Sequence, residues 1–562
     1  MRRFANAAKP LVIAVSLRDA DPPRWAREVI EGLREDGHEV LCFAPPRALS
    51  GFSLLWDELG SLFARFPSYR LYALLEKRAG RPSEDLSSRG GDPIRLMPIQ
   101  DAEARGCDFL IDLAGSGDTS RVRPRLGAMR LEAGEGPNPI ERLRSIAGKP
   151  AAPLRAILET GTDKEPVVFE AWVPTHTFSL SRSLNRIRAR ASALARKTAN
   201  AVGSGRLAGS VPAGREKQIT LGGDPARSLA GVARAALRSA LAELVRRKTE
   251  QALFVHQWSL VLSTEARDGK RGQWAIVPPA DRFWADPFPY RRDGELWLFF
   301  EEQLFGAPYA RIACAKVLET GRLDRIQTAL ECPYHLSYPY LVEEGGELYM
   351  LPESHQNKSL DLYRCVEFPS RWEKAATLVE GLECADASVF KRPDGWWLLA
   401  SMRTSGGSSL SEELYAFRSD KLAAPGWTPH PVNPVAIDVR NSRCAGKPFE
   451  IDGRLFRPAQ DCAGGYGKAV TLHEIVRLDE GEYREEPRAT IPAKALRGLA
   501  TLHTYNCAGN DIVIDGQVRR LRLAAAFASI ASRGGVCMPH RRLRTKGADI
   551  SLLRALAAGY YR

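Results

Sequence analysis

Trp284-Ala285-Asp286-Pro287-Phe288-Pro289-Tyr290, then Arg291-Arg292-Asp293-Gly294, then Glu295-Leu296-Trp297-Leu298-Phe299-Phe300-Glu301-Glu302 spell a strand, a tight turn and a second strand ending in carboxylates. Asp-Gly between two apolar runs is a strong hairpin signal, because glycine accepts the positive φ that the turn requires. The phrase then recurs. Ser337-Tyr338-Pro339-Tyr340 is followed by a turn at Gly345-Gly346 and an apolar run reaching Glu353. Ala385-Asp386-Ala387-Ser388 is followed by Asp394-Gly395, and Gly446-Lys447-Pro448-Phe449 by Asp452-Gly453. A weaker fifth copy, Leu502-His503-Thr504-Tyr505, precedes Gly509-Asn510 and a run reaching Asp515.

The copies start roughly 50 to 60 residues apart, enough for a four-stranded sheet, and such a period is the signature of a β-propeller. Five copies predict five blades, with residues 252–276, carrying Trp258 and Trp274, supplying outer strands that close the ring. In a propeller the first strand of each blade lines the channel, so equivalent starting positions converge on one end of the axis. Here these are Asp286, Tyr338, Asp386, Lys447 and His503. Seven positions after each turn glycine, the second strands offer Glu301, Glu353, Met402 and Gln460. Turn chemistry also places Asp and His at strand ends, and Trp297, Trp396 and Trp397 suit the packing between blades.

The remaining sequence predicts a multidomain chain. At 562 residues it exceeds one hydrophobic core. The expected division is an amino-terminal α/β, Rossmann-like domain over 1–200, a linker and helix over 201–251, an all-β five-bladed β-propeller over 252–518 and a basic tail over 519–562. The α/β reading rests on buried-strand runs at 11–17, 39–43 and 107–114, with a helix after Pro22-Pro23 and another around 54–77. Gly115-Ser116-Gly117 lacks the third glycine of a dinucleotide fingerprint, so no cofactor is expected. The ten cysteines lack metal-ligand spacing, which predicts reduced thiols and no metal. The run 11–17 is too short for a membrane span and carries no cleavage pattern, so the chain is expected in the cytoplasm. The Ala- and Arg-heavy usage suits a bacterial chain.

Net charge is +13. Such a charge bears on association and not on fold, and no nucleic-acid motif accompanies it, so no nucleic-acid partner is expected. Arg182, Arg186, Arg188, Arg190, Arg196 and Lys197 make a basic helix, read first as a solvated connection and second as a face toward an anionic surface. With Arg519, Arg520 and Arg522 and with Arg541, Arg542 and Arg544, it leaves peripheral membrane contact open. The sequence is silent on oligomeric state.

Trp-Ala-Asp-Pro-Phe, Phe-Phe-Glu-Glu, Tyr-Pro-Tyr-Leu, Tyr-Met-Leu-Pro-Glu-Ser, Asp-Ala-Ser-Val-Phe, Arg457-Pro458-Ala459-Gln460-Asp461 and Leu-His-Thr-Tyr together resemble the amino-terminal domain of plant glucosamine inositolphosphorylceramide transferases, over roughly residues 256 to 518. That domain is similar to the five-bladed propellers of glycoside hydrolase families 43, 32 and 68. In the plant proteins a glycosyltransferase domain follows. Residues 518–562 are too short to be one, so sugar transfer in that manner is not implied.

The hydrolase resemblance implies an Asp base in the first blade, a supporting Asp in the third and a Glu acid in the fourth. Asp286 and Asp386 match the first two, while the fourth blade offers Gly446-Lys447-Pro448. Glycosidic cleavage needs a pair of carboxyl groups. The expected set is therefore Asp286 as base or nucleophile, Asp386 tuning it and Glu353 as proton donor. Glu301, Tyr338, Lys447, Gln460, Asp461 and His503 surround the ligand, and Arg443 and Arg457 grip a phosphate or carboxylate on the glycan or sugar phosphate. A non-catalytic sugar-binding or scaffold protein is the competing expectation. The runs at 167–172 and 176–186 also resemble the tail of a formyltransferase-type domain. The resemblance implies a catalytic His, and His38 is the only one before residue 150. Formyl transfer is therefore not expected.

Overall fold

The computed structural model describes residues 9–45, 91–114, 122–136, 139–159, 167–177, 179–205, 211–212, 252–265, 271–404, 408–493 and 499–521, with parts of 234–250. The expected helix at 54–77, the glycine cluster at 115–117, most of the linker and the tail beyond residue 521 lie outside the described residues.

The amino-terminal part is one seven-stranded sheet. Glu39–Phe43, Val12–Ser16, Phe109–Asp112 and Ala128–Ala133 lie side by side and parallel. Ala151–Glu159, Val167–Pro174 and Val211–Pro212 continue it antiparallel. Three of the four parallel strands lie at the expected buried-strand runs, and the antiparallel extension makes the sheet mixed. His38 is buried, accepts from the Leu11 amide and contacts Asn200, a structural role.

The helix Leu180–Ser204 starts where the Ser179 side chain accepts from the Arg182 amide and stops at left-handed Gly205. Its apolar positions recur at helical spacing, and Leu184, Ile187, Ala191, Leu194 and Ala195 join the core beneath the sheet. The sequence reading of a solvated or surface-binding basic helix is corrected here. Arg190 is fully buried and paired with Glu413 and, at 3.4 Å, with Glu412 of the propeller. Lys197 donates to the carbonyls of Pro434 and Val435 at 2.6 and 3.1 Å, and Arg196 binds Asp36. Arg190 and Lys197 therefore fasten the two parts of the molecule together.

The propeller has five blades. Blade 1 is Arg282–Arg292, Glu295–Leu304, Arg311–Lys316 and Gln327–Leu330, each strand pairing with the next. Blade 2 begins with Ser337–Glu344 and Glu347–Glu353, blade 3 with Glu383–Arg392 and Gly395–Arg403. In blade 4 the innermost strand is broken into Arg443–Cys444 and Phe449–Ile451, both paired with Arg454–Asp461. Blade 5 joins Tyr505–Ala508 and Asp511–Leu521 to Phe254–Glu265 and Arg271–Ile276, so strands from before blade 1 complete the last blade. This radial repetition leaves only short, protected sheet edges. Asp293-Gly294 and Asp452-Gly453 both turn with positive φ at two successive residues, as a two-residue hairpin loop demands. Trp396 and Trp397 are buried between blades, as expected.

Truncating Glu413 leaves the Arg190 charge buried against Glu412 alone. Removing one partner of a buried pair costs about 3–5 kcal/mol. Glu413→Ala is therefore expected to lower the urea midpoint strongly, whereas removal of the exposed Glu480 carboxylate leaves it within error.

Candidate active site

The innermost strands of blades 1, 2 and 3 share one irregularity. Their pairing with the second strand slips between Ala285 and Phe288, between Ser337 and Tyr340, and between Ala385 and Ser388. Each bulge holds a non-glycine residue at left-handed φ: Asp286 at 50°, Tyr338 at 47° and Asp386 at 48°. Such a conformation costs about 1–3 kcal/mol. In each case the reversed amide meets a carboxylate of the preceding blade. Asp286 N donates to Asp515 Oδ2 at 2.7 Å, Tyr338 N to Asp286 Oδ2 at 3.2 Å and Asp386 N to Glu353 Oε2 at 3.2 Å. A hydrogen bond to a charged group contributes about 1.5–3 kcal/mol, enough to offset the strain.

The bulges gather five carboxyl groups, Asp286, Glu301, Glu353, Asp386 and Asp515, all buried. His503 stands between two of them, with Nε2 2.9 Å from Asp286 Oδ1 and Nδ1 2.8 Å from Asp515 Oδ1. Burial opposes its charge, but Asp515 and Asp286 lift its pKa well above that of an ordinary imidazole. The two carboxyl neighbours thus favour the charged form of the ring. Asp286, His503 and Asp515 are also the group of three ligand atoms, all within 4.8 Å of one another, that could hold a metal among the described residues. A metal there would compete with a proton for the His503 ring nitrogens.

Glu353 and Asp386 share Arg443. Arg443 Nε is 2.5 Å from Asp386 Oδ2, and Nη2 is 3.4 Å from Glu353 Oε2. His355 adds a second partner for Glu353 at 2.8 Å. Burial would raise the Glu353 pKa, yet His355 and Arg443 pull it down to about 2. Burial and the neighbouring charges of Glu353 and Asp286 push Asp386 up, against Arg443. Of the two, Asp386 is the one whose surroundings favour the protonated form. Glu353 is held toward its carboxylate form, which does not favour the proton-donor role expected of it.

Glu301 has the raised proton affinity instead. It contacts His335 at 3.2 Å, and burial raises its pKa to about 7, with the Asp286 charge adding to the rise. His335 and His355 are partly exposed, and Tyr466 is 43% exposed, so solvent reaches the cluster from this side.

The structure brings together Asp286, Glu301, Glu353, Asp386, Arg443 and His503. Gln460 joins them, donating to Asp386 Oδ2 at 2.7 Å. Four expected residues serve elsewhere. Tyr338 is fully buried, its hydroxyl 3.1 Å from Ser388 Oγ, so it ties blades 2 and 3 inside the axis. Lys447 points away from the carboxylates and donates to Leu341 O at 3.2 Å, in a cavity of about 390 Å³ lined by innermost strands. The reason is register. Arg443 pairs with Gln460 as Ala285 pairs with Glu301, while Gly446, its would-be Cβ only 2.1 Å from Tyr505 O, carries the chain past the site. Arg457 is buried against Glu485, at 2.9 and 2.6 Å, and Asp461 closes its own loop through Ala463 N and Lys468.

Sequence reasoning missed Asp515, His335, His355 and Tyr466. Asp515 ends the fifth second-strand run and could have been found there. The histidines lie in connections between strands, where no repeat flags them.

Residues 275–503 match the family model described as "Glucosamine inositolphosphorylceramide transferase 1, N-terminal". The rice (Oryza sativa subsp. japonica) glucosamine inositolphosphorylceramide transferase 1 is 36% identical over 235 residues, covering 39% of this chain and 31% of that protein. The Arabidopsis thaliana protein of the same name is 34% identical over 229 residues, covering 38% and 30%. The chain thus spans about a third of the length of these relatives. Among solved structures, the family 43 endo-arabinanase of Bacillus licheniformis aligns over 44% of this chain and 95% of its own, at 12% identity and a TM-score of 0.32. The matched family segment begins beyond the amino-terminal sheet, so the formyltransferase resemblance rests on its sequence runs alone. No helix among the described residues is long and apolar enough to cross a membrane.

The Glu353 pKa predicts a pH signature. Its folded value, about 2, lies below the usual 4.5, so its stabilisation is present above about pH 4.5 and lost as pH falls toward 2. Melting temperatures of the native chain and Glu353→Gln are expected to differ most near neutrality and to converge below pH 3. A constant difference across that range contradicts the assignment.

Proposed function

We propose that the propeller acts on a glycan or glycoconjugate at the mouth of its channel, with Asp286 as base or nucleophile and Glu301 as proton donor. The observation that carries this reading is Glu301, whose pKa is raised to about 7 by burial and by the nearby Asp286 charge, at a solvent-reachable cluster. A protonated carboxyl group beside a second carboxyl group is what acid–base cleavage or transfer of a glycosidic bond requires. His503 and Asp515 orient Asp286 from behind. Arg443 neutralises the Glu353–Asp386 pair and leaves Asp386 to tune the local field. Tyr466 offers a sugar ring a partly exposed aromatic face.

The plant relatives bear the name glucosamine inositolphosphorylceramide transferase, which supports a sugar or glycolipid as the ligand class. The four parallel strands of the amino-terminal sheet read as a Rossmann-like remnant that serves as a scaffold. The same limited coverage leaves the relatives' transfer activity a proposal for this chain. A second reading, a non-catalytic sugar-binding protein, draws on Arg443, a cation in the blade where the hydrolase resemblance implies an acid.

A panel of chromogenic aryl glycosides separates the two. Turnover is expected to decline as pH rises through about 7, as Glu301 loses its proton. Asp286→Asn and Glu301→Gln are each expected to reduce it by about 10²- to 10⁴-fold. Undiminished activity in Asp286→Asn removes the catalytic assignment. Binding on a glycan array without turnover favours the second reading.

A further inference from the structure

The loop between the second and third strands of blade 4, Cys462-Ala463-Gly464-Gly465-Tyr466-Gly467, touches both halves of the molecule. Gly464, at φ 86°, lies so close to the amino-terminal part that a Cβ would stand 2.8 Å from Pro150. Gly467, at φ 69°, presses toward the carboxylate cluster, where a Cβ would stand 3.2 Å from Trp258 and 3.4 Å from His503. Tyr466 sits between them. Its ring centroid is 5.0 Å from that of His503, and the Arg443 guanidinium lies 5.0 Å away over its face. The cluster and the seam between the domains therefore meet at one side chain.

Beyond Tyr466 the seam opens into a cavity of about 310 Å³. The propeller contributes Ser409 and Ser411, and the amino-terminal part contributes Thr175, Thr177 and Arg186. Arg246 also lines it, but binds Glu243 through two contacts of 2.8 Å. Arg186 has no acidic partner among the described residues and stands near the like charge of Arg190. Among the described lining residues, two arginines stand against one glutamate in a pocket edged with hydroxyls. A planar guanidinium with hydroxyl donors is the chemistry that holds an oxyanion.

We propose that this interdomain cavity binds an anionic group, a phosphate or carboxylate, carried by the ligand whose sugar rests on Tyr466, and that Arg186 is the residue that recognises it. The sugar half of this statement rests on the function proposed above; the anion half does not. The amino-terminal part then sets specificity, since it supplies the one free cation among the described lining residues.

Calorimetric titration with inorganic phosphate tests the anion half alone. The full chain is expected to bind phosphate saturably, and Arg186→Gln to weaken it about tenfold or more, as loss of one charge-assisted contact implies. Arg186→Lys should restore part of the affinity, and unchanged melting temperatures establish that the variants fold. Unsaturable binding, or equal affinity in Arg186→Gln, overturns the proposal. Glucose 1-phosphate, glucuronate and glucose then test the sugar half and tell a phosphate from a carboxylate. Tighter binding of either anionic sugar than of glucose, lost in Arg186→Gln, supports both halves. Equal binding of all three leaves the sugar reading standing and sinks the anion site. Arg186-dependent phosphate binding that Tyr466→Ala leaves untouched, with no sugar bound, keeps the anion site and sinks the sugar reading.

Discussion

Three backbone amides, those of Asp286, Tyr338 and Asp386, turn out of their strands and donate to carboxylates of the neighbouring blade. The remaining joints of the ring use related contacts. Arg443 ties blade 4 to Asp386, Lys447 N donates to Asn506 Oδ1 at 2.7 Å, and Asn506 Nδ2 donates to Pro287 O at 2.9 Å. The ring of blades is thus closed by polar contacts at its axis as well as by packing between sheets. Each bulge is strained, and each strain is met by a bond to a charged acceptor, so neither would persist without the other.

This arrangement makes the carboxylates at once structural and chemically available. Five acids drawn to one axis cannot all hold full charge in a buried setting. The protein answers unevenly. Asp286 and Asp515 face His503, Glu353 faces Arg443 and His355, and Glu301 is left with the weaker support of His335. A proton held near neutrality on Glu301 follows from that uneven allotment of cations. The amino-terminal part reaches the same neighbourhood from outside, through the glycine-rich loop that carries Tyr466.

Much of the propeller was legible in the residues. The Asp-Gly turns, the recurring Asp-Pro-Phe-like phrase and the period fix five hairpins, because turn geometry and strand alternation are local. The closure of blade 5 by residues 254–276 followed from the count of strands. The positions of Asp286 and Asp386 at one axis followed too, since both occupy the same place in the repeat. Lys447 shows where that reasoning stops. It occupies the aligned position, but blade 4 breaks its inner strand, and Arg443, three residues before Gly446, takes the register that faces the acids.

The sequence by itself determined the repeat, the turns and the residues of blades 1 and 3 that face the axis, because each depends on neighbours a few positions away. Only the tertiary structure decided which acid keeps a proton, because the Glu301 and Glu353 pKa values depend on His335, His355 and Arg443, drawn together from connections and a distant blade. It also decided the fate of the basic helix. Arg190 and Arg186 lie four residues apart on Leu180–Ser204, yet one is sealed against Glu412 and Glu413 and the other opens into the interdomain cavity. Charge along a chain says how many cations there are; burial and partners, which only packing supplies, say what each of them can do.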